Sequence, residues 1–250
     1  MPTISRKQRE IAQRHQLFLN IARDLINEEG CAALSMDRLA ELGEYSRGTV
    51  YQHFPCKEEV LIEVCNSSMS YLLSLFERAR AVPHSNRDRI LAVMVAHNYF
   101  DMRQPHCNKI LQYTSDNSIM DKVSEATLQI HNQLEKSLMQ VVGSIVGDAL
   151  KTKELMMPKN LSAIELVFGL WSLNLGSQLL QAAELHLEEI GITQPEETIA
   201  RIVAATLDGL NWQPLHDAKK HKALMAWLKN TVFVGPLQAD INNEMQLEKE

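Results

Sequence analysis

Ser46 opens a stretch in which Arg47, Thr49, Tyr51, His53 and Lys57 follow at short intervals, with no acid anywhere between 45 and 57. These side chains have the chemistry of a nucleic-acid contact. A guanidinium reaches guanine O6 and N7 with two parallel N–H bonds, so Arg47 is the candidate base reader. The hydroxyl, phenol, imidazole and ammonium groups of Thr49, Tyr51, His53 and Lys57 suit phosphate oxygens. The unpaired amides at a helix start, capped by Ser46, attract the same anions. Residues 1–14 repeat the sign, with Arg6, Lys7, Arg9 and Arg14 against Glu10 alone, while the whole chain carries -6. Positive charge confined to two short places on an acidic molecule is the footprint of a small phosphate-contacting surface.

Helices must position these groups. Apolar residues recur at helical spacing over 11–28, and Gly30 stops the run. Ser35 caps a two-turn helix over 36–42 that ends near Gly43. Ser46 caps a second short helix through Val50, Tyr51 and Phe54, which Pro55 must end. Three residues separate the two, Ala40 lies where they cross, and Leu39 and Val50 pin them together, which is helix-turn-helix geometry. A long amphipathic helix follows over 57–81, its stripe being Leu61, Val64, Cys65, Ser68, Leu72, Leu75 and Phe76. Further helical periods cover 90–100, 106–113, 119–150, 161–190, 198–210 and 217–234, with no repeat and no convincing strand. The fold class expected is all-α. The expected organisation is a three-helix DNA-binding domain over 1–57, a larger helical domain over 58–236 entered by the 58–81 connecting helix, and a polar tail over 237–250.

Only 10 Gly and 8 Pro in 250 residues, with 45% apolar, exclude collagen-like, low-complexity and disordered classes. The richest apolar stretch, 163–180, is interrupted by Glu165, Ser172, Asn174, Ser177 and Gln178, so it reads as a buried helix and not a membrane anchor. No apolar block backs the basic N-terminus, so no secretory signal is expected and the protein is placed in the cytoplasm. Cys31, Cys56, Cys65 and Cys107 form no C-x-x-C pair and read as reduced thiols. His97 and Asp101 stand at i, i+4 with His106 and Cys107 close by, but read as helix surface and loop; no metal and no cofactor are expected. Lys219, Lys220, His221 and Lys222 read as a solvated helix face. No G-x-S-x-G, phosphate loop, H-E-x-x-H or evident acid pair is present, so the chain is not expected to be an enzyme.

Leu39-Ala40-Glu41, then Tyr45-Ser46-Arg47-Gly48-Thr49-Val50-Tyr51-Gln52-His53-Phe54, then Lys57-Glu58-Glu59-Val60-Leu61 resemble the DNA-binding domain of tetracycline-repressor-type (TetR-family) transcriptional regulators. The resemblance covers about 11–64. It implies a DNA-facing set of Ser35, Tyr45, Ser46, Arg47, Thr49, Tyr51, Gln52, His53 and Lys57, with Arg6, Lys7 and Arg9 as a flexible basic arm. It also implies a homodimer whose C-terminal domain binds a small-molecule effector. An apolar pocket with a few polar groups would draw on Met94, His97, Tyr99, Phe100, Met120, Trp171 and Asn174. Small residues that let helices approach closely, Gly169, Ser172, Gly176, Ala183, Ala204 and Gly209, would serve the dimer interface. The expected function is a repressor that releases a palindromic operator in double-stranded DNA on binding its effector. An architectural or partner-binding DNA protein of the same fold, without an effector, is the alternative.

Two positions depart from the family pattern. Glu44 follows Gly43 where the turn glycine usually stands, so either the turn is shifted by one residue or Glu44 is left-handed. Cys56 replaces the usual polar cap before the lysine, and a thiol at a helix start beside Lys57 is expected to have a lowered pKa and redox sensitivity.

Overall fold

The computed structural model describes residues 5–114, 117–182 and 187–233. Ala183 and the tail over 237–250 lie outside the described residues. Every regular element among those described is helical: α1 (Arg6–Glu29), α2 (Met36–Leu42), α3 (Arg47–Tyr51), α4 (Lys57–Arg80), α5 (Asn86–Arg103), α6 (Pro105–Tyr113), α7 (Asn117–Met120), α8 (Glu125–Lys151), α9 (Ala163–Ala182), α10 (Pro195–Gly209) and α11 (Ala218–Trp227). Two compact units divide them. The first takes the chain up to Leu73 together with Phe100–Met139; the second takes Ser74–Tyr99 and the chain from Gln140 onward.

In the first unit, Phe18, Ala22 and Ile26 of α1, Leu39 of α2, Val50 of α3, Phe54, and Leu61 and Val64 of α4 form one buried cluster. Ile110 of α6, more than forty residues along the chain from Val64, joins it. The start of α1 corrects the flexible-arm reading. The Ser5 hydroxyl accepts from the Gln8 amide and the Gln8 side chain accepts from the Ser5 amide, a capping box that carries Arg6, Lys7 and Arg9 into the helix. Their charges are exposed, and Arg6 donates to Glu10 one turn on at 2.8 Å.

The turn between α2 and α3 resolves the Glu44 question. The Tyr45 amide donates to the Ala40 carbonyl at 2.9 Å and the Glu44 amide to the Glu41 carbonyl at 3.1 Å, the paired bonds of a Schellman cap. That cap needs a left-handed residue at Glu44, whose φ is 59°. Gly43 is required for space instead: a Cβ there would lie 2.9 Å from both the Leu39 carbonyl oxygen and Phe18 Cε1. Glu44→Gly is therefore expected to stabilise the first unit by about 0.5–1 kcal/mol, the left-handed penalty less the extra chain entropy of glycine. Urea denaturation of the two proteins measures it, and a loss of stability would show that the Glu44 side chain is needed in place.

Helix α8 begins at Glu125, not at 119 as the periodicity suggests, because α4 holds its start. Glu59, buried, accepts from the Ser124 amide (2.7 Å), the Ser124 hydroxyl (2.6 Å) and the Thr127 hydroxyl (2.6 Å). Burial pushes the Glu59 pKa up, and these hydrogen bonds outweigh it, holding the carboxyl below its ordinary range. Asn66, two turns further along α4, donates to the Thr127 carbonyl and accepts from His131 Nδ1 at 2.7 Å.

In the second unit, Arg87 of α5 is buried and spends its donors on the Trp212 and Ala204 carbonyls, both at 2.8 Å, and on Asp208 at 2.7 Å. Helix α9 corrects the buried-helix reading. By length and composition it is long and apolar enough to cross a membrane, yet only 22% of its apolar window is buried within the chain. Ile164, Phe168, Trp171 and Leu180 are exposed on it, as is Ile202 on α10.

Candidate nucleic-acid interface

Short-range bonds build the recognition helix. The Ser35 hydroxyl accepts from the Arg38 amide at 3.2 Å, starting α2, and the Ser46 hydroxyl accepts from the Thr49 amide at 3.1 Å, starting α3. Val50 and Phe54 are then fully buried, which turns the opposite face of α3 outward. That face carries Tyr45, Ser46, Arg47, Gly48, Tyr51 and Gln52, all exposed at the helix start or along it. A Cβ at Gly48 would meet only the Ser46 hydroxyl, at 3.7 Å, so packing within the chain does not demand glycine there. The bare backbone leaves room for a phosphate or a base edge to approach.

Not every residue expected on this face lies on it. Thr49 is half-buried, its hydroxyl 2.9 Å from that of Ser46, and so completes the cap. His53 is half-buried among the rings of Phe18 (5.5 Å), His15 (5.6 Å) and Phe54 (6.1 Å). Burial lowers its pKa, and neighbouring His15 and Arg14 act in the same direction, which favours the neutral ring. Lys57 points its ammonium at the Tyr113 hydroxyl of α6, 2.9 Å away, and over that ring. Arg47 is exposed but ion-paired with Asp37 of α2. Sequence reasoning missed Asp37, although its place in the first turn of α2, beside the Ser35 cap, is a signal for it. It also missed Arg14 as a site residue; this guanidinium lies over the Tyr45 ring, 5.2 Å from the centroid, and backs that phenol from α1.

Residues 18–64 match the sequence model of the family described as bacterial regulatory proteins, tetR family. Over that segment the chain is similar to the tetR family. It is 25% identical over 118 residues to an HTH-type transcriptional regulator of Staphylococcus aureus (strain USA300), a match covering 47% of this chain and 57% of that protein. Among solved structures, a bacterial regulatory protein in the tetR family from Rhodococcus RHA1 superposes with TM-score 0.61 at 16% identity, covering 80% of this chain and 98% of that one. The TetR-family transcriptional regulator PfmR from Thermus thermophilus does so with TM-score 0.56 at 19% identity, covering 80% and 99%. At these identities the structural likeness is one of fold. The matched segment contains the whole of α2 and α3.

The Cys56 expectation is overturned. Burial pushes its thiol above the ordinary range, backbone hydrogen bonds from Glu59 and Glu58 only partly offset that, and the Glu58 charge adds to the rise. The thiol donates to the Lys122 carbonyl at 3.4 Å, so it is held as a structural group and the redox reading falls.

The residues expected to line an effector pocket divide between the two units. Met94 and Asn174 are buried in the second unit, and His97 there accepts from Gln178 Nε2 at 2.6 Å. Tyr99, in the same unit, lies against the Phe233 ring, 6.2 Å between centroids. Trp171 is exposed on α9 beside Phe168. Phe100, against Tyr71, and Met120 belong to the first unit. Of the small residues expected at a dimer interface, Gly169, Gly176 and Gly209 have nothing within 4 Å of where a Cβ would stand, and Ser172 is exposed, whereas Ala204 is buried in its own unit. Among the described residues no group of three or more His, Cys, Asp or Glu is placed to hold a metal ion.

Proposed function

We propose that this protein is a cytoplasmic, dimeric transcriptional repressor that binds a palindromic operator and releases it when a small-molecule effector binds. The observation that carries the reading is the outward face of α3, where Tyr45, Ser46, Arg47, Tyr51 and Gln52 surround an open helix start within a tetR-type domain. Each subunit reads one half-site with that helix in the major groove. Dimerisation is supported by the exposed apolar residues of α9 and α10, Ile164, Phe168, Trp171, Leu180 and Ile202, beside the open glycines 169, 176 and 209. A second copy of the same helix pair covers such a face and keeps it from water. The effector acts by favouring the spacing of recognition helices that does not fit DNA. Nothing in the chain calls for catalysis in this scheme.

Selection of bound sequences from random duplexes at physiological salt, followed by re-binding in the presence of a panel of apolar and cationic small molecules, tests the proposal. One palindrome, bound by two chains and released by one compound class, is the expected result. Many weak sites that no compound releases would overturn it. Arg47→Ala is expected to cost about 1–3 kcal/mol of discrimination at one base pair of each half-site, roughly a 5- to 150-fold relaxation. Equal losses on every duplex would contradict base reading by Arg47.

A further inference from the structure

Arg47 opens α3 on its outward face, and of the two bases over 45–57 it is the exposed one, since Lys57 is half-buried and engaged by the Tyr113 hydroxyl. Its Nη2 is ion-paired with Asp37 Oδ2, and the two side chains remain 67% and 54% exposed. Asp37 stands in the first turn of α2. The base beside it, Arg38, spends its guanidinium on Glu29 of α1, with two bonds at 3.0 and 2.8 Å, and so leaves Asp37 to Arg47. Leu39 and Val50 are fully buried in one cluster, which fixes the two backbones that carry the carboxylate and the guanidinium.

An ion pair this open adds little to stability, because water screens both charges. What it does set is the direction of the guanidinium. An arginine on a free helix face samples many rotamers, and gripping a base costs it that freedom. Asp37 removes part of that cost before DNA arrives. The guanidinium has five N–H donors in a planar fork, so one corner held by Asp37 still leaves a parallel pair for guanine O6 and N7. The same carboxylate offsets the charge that would draw Arg47 to any phosphate, so binding without regard to sequence gains less from it.

We propose that Asp37 is a positioning residue for base recognition: it directs the Arg47 guanidinium to a guanine of each half-site and cancels that group's attraction to phosphate at large. This role rests on the reading of α3 as the helix that meets DNA.

Titration of the full chain tests it, against the selected palindrome, copies with one G·C pair of each half-site replaced by A·T, and a duplex of alternating A·T pairs. One replacement is expected to weaken the parent and to lose its effect in Arg47→Ala, which marks the pair that Arg47 reads. Asp37→Asn keeps the shape and removes the charge. It is expected to lower discrimination at that pair about two- to fivefold and to tighten binding to the alternating duplex about twofold. A purely structural role would weaken all duplexes alike. In the double variant with Arg47→Ala, Asp37→Asn is expected to change discrimination no further. Asp37 is exposed, so an unaltered thermal melt is expected throughout. A parent that prefers no sequence overturns the reading of α3 and this role with it. A G·C preference that depends on Arg47 but stays intact or sharpens in Asp37→Asn overturns this role alone, as does equal weakening on every duplex. A preference that does not depend on Arg47 overturns it too.

Discussion

Phe18→Ala is expected to destabilise the first unit by about 3–5 kcal/mol and to abolish DNA binding with it. Phe18 is fully buried where α1 meets every part of the helix-turn-helix. Its ring meets Tyr45 edge-on at 5.6 Å, His53 at 5.5 Å and Phe54 at 6.4 Å, and it presses against the backbone of Gly43 so closely that no Cβ fits between. Truncation removes the apolar transfer energy and leaves a void under the turn that orients α3, so both stability and recognition depend on it. Urea denaturation followed by circular dichroism gives the stability change, and a duplex titration gives the binding. Leu42→Ala, at a half-exposed position on α2, serves as the control and is expected to shift stability by no more than about 0.5 kcal/mol. A loss below about 1 kcal/mol for Phe18→Ala would mean that the turn is held by its hydrogen bonds and not by this ring.

Acidification from pH 6.5 to about pH 4 is expected to cost the first unit about 3 kcal/mol through His106 alone. This histidine of α6 is fully buried, with Nε2 2.9 Å from the Ser68 hydroxyl of α4 and Nδ1 without a partner. Burial lowers its pKa, with the charges of Arg23 and Lys109 acting the same way, to about 4. The unfolded chain takes up the proton near pH 6.5 while the folded one refuses it until about pH 4. Between those values the unfolded state binds more protons, so stability falls as the pH falls; below the folded pKa this group contributes no further loss. Other carboxylates and histidines titrate in the same interval, and the difference between the parent and His106→Gln isolates this one. The parent is expected to lose about 3 kcal/mol more than the variant across the interval. Parallel pH profiles would show that His106 is protonated in the folded protein.

How much of this is readable beforehand follows from the range of the interactions. Ser35 and Ser46 cap their helices within three residues, Val50 and Phe54 stand one turn apart and Leu61 and Val64 stand one turn apart on the buried side, and Pro55 and Gly30 act on their own backbone. Those signals are written within one or two turns, so the tetR-type motif is legible in the chain order of 35–61. The Schellman bonds around Glu44 are half-legible: a left-handed residue is one of two options the sequence leaves, and the choice depends on whether Phe18 leaves room beside Gly43.

The contacts that decide what each side chain does have no such signature. Lys57 reads as a phosphate ligand until Tyr113, fifty-six residues on, takes its ammonium. Cys56 reads as a reactive thiol until Lys122 and the surrounding burial cap it. Glu59 has no assigned role in the sequence, and only the start of α8 shows that it organises a helix sixty-five residues away. A cavity of about 460 Å³ between the start of α5 and α11 joins segments more than a hundred residues apart, and neither helix alone suggests it. Local hydrogen bonds and apolar periodicity leave a repeating trace along one segment. A pairing between distant segments leaves none, because any residue of suitable size and polarity can meet the partner once packing has brought the two together.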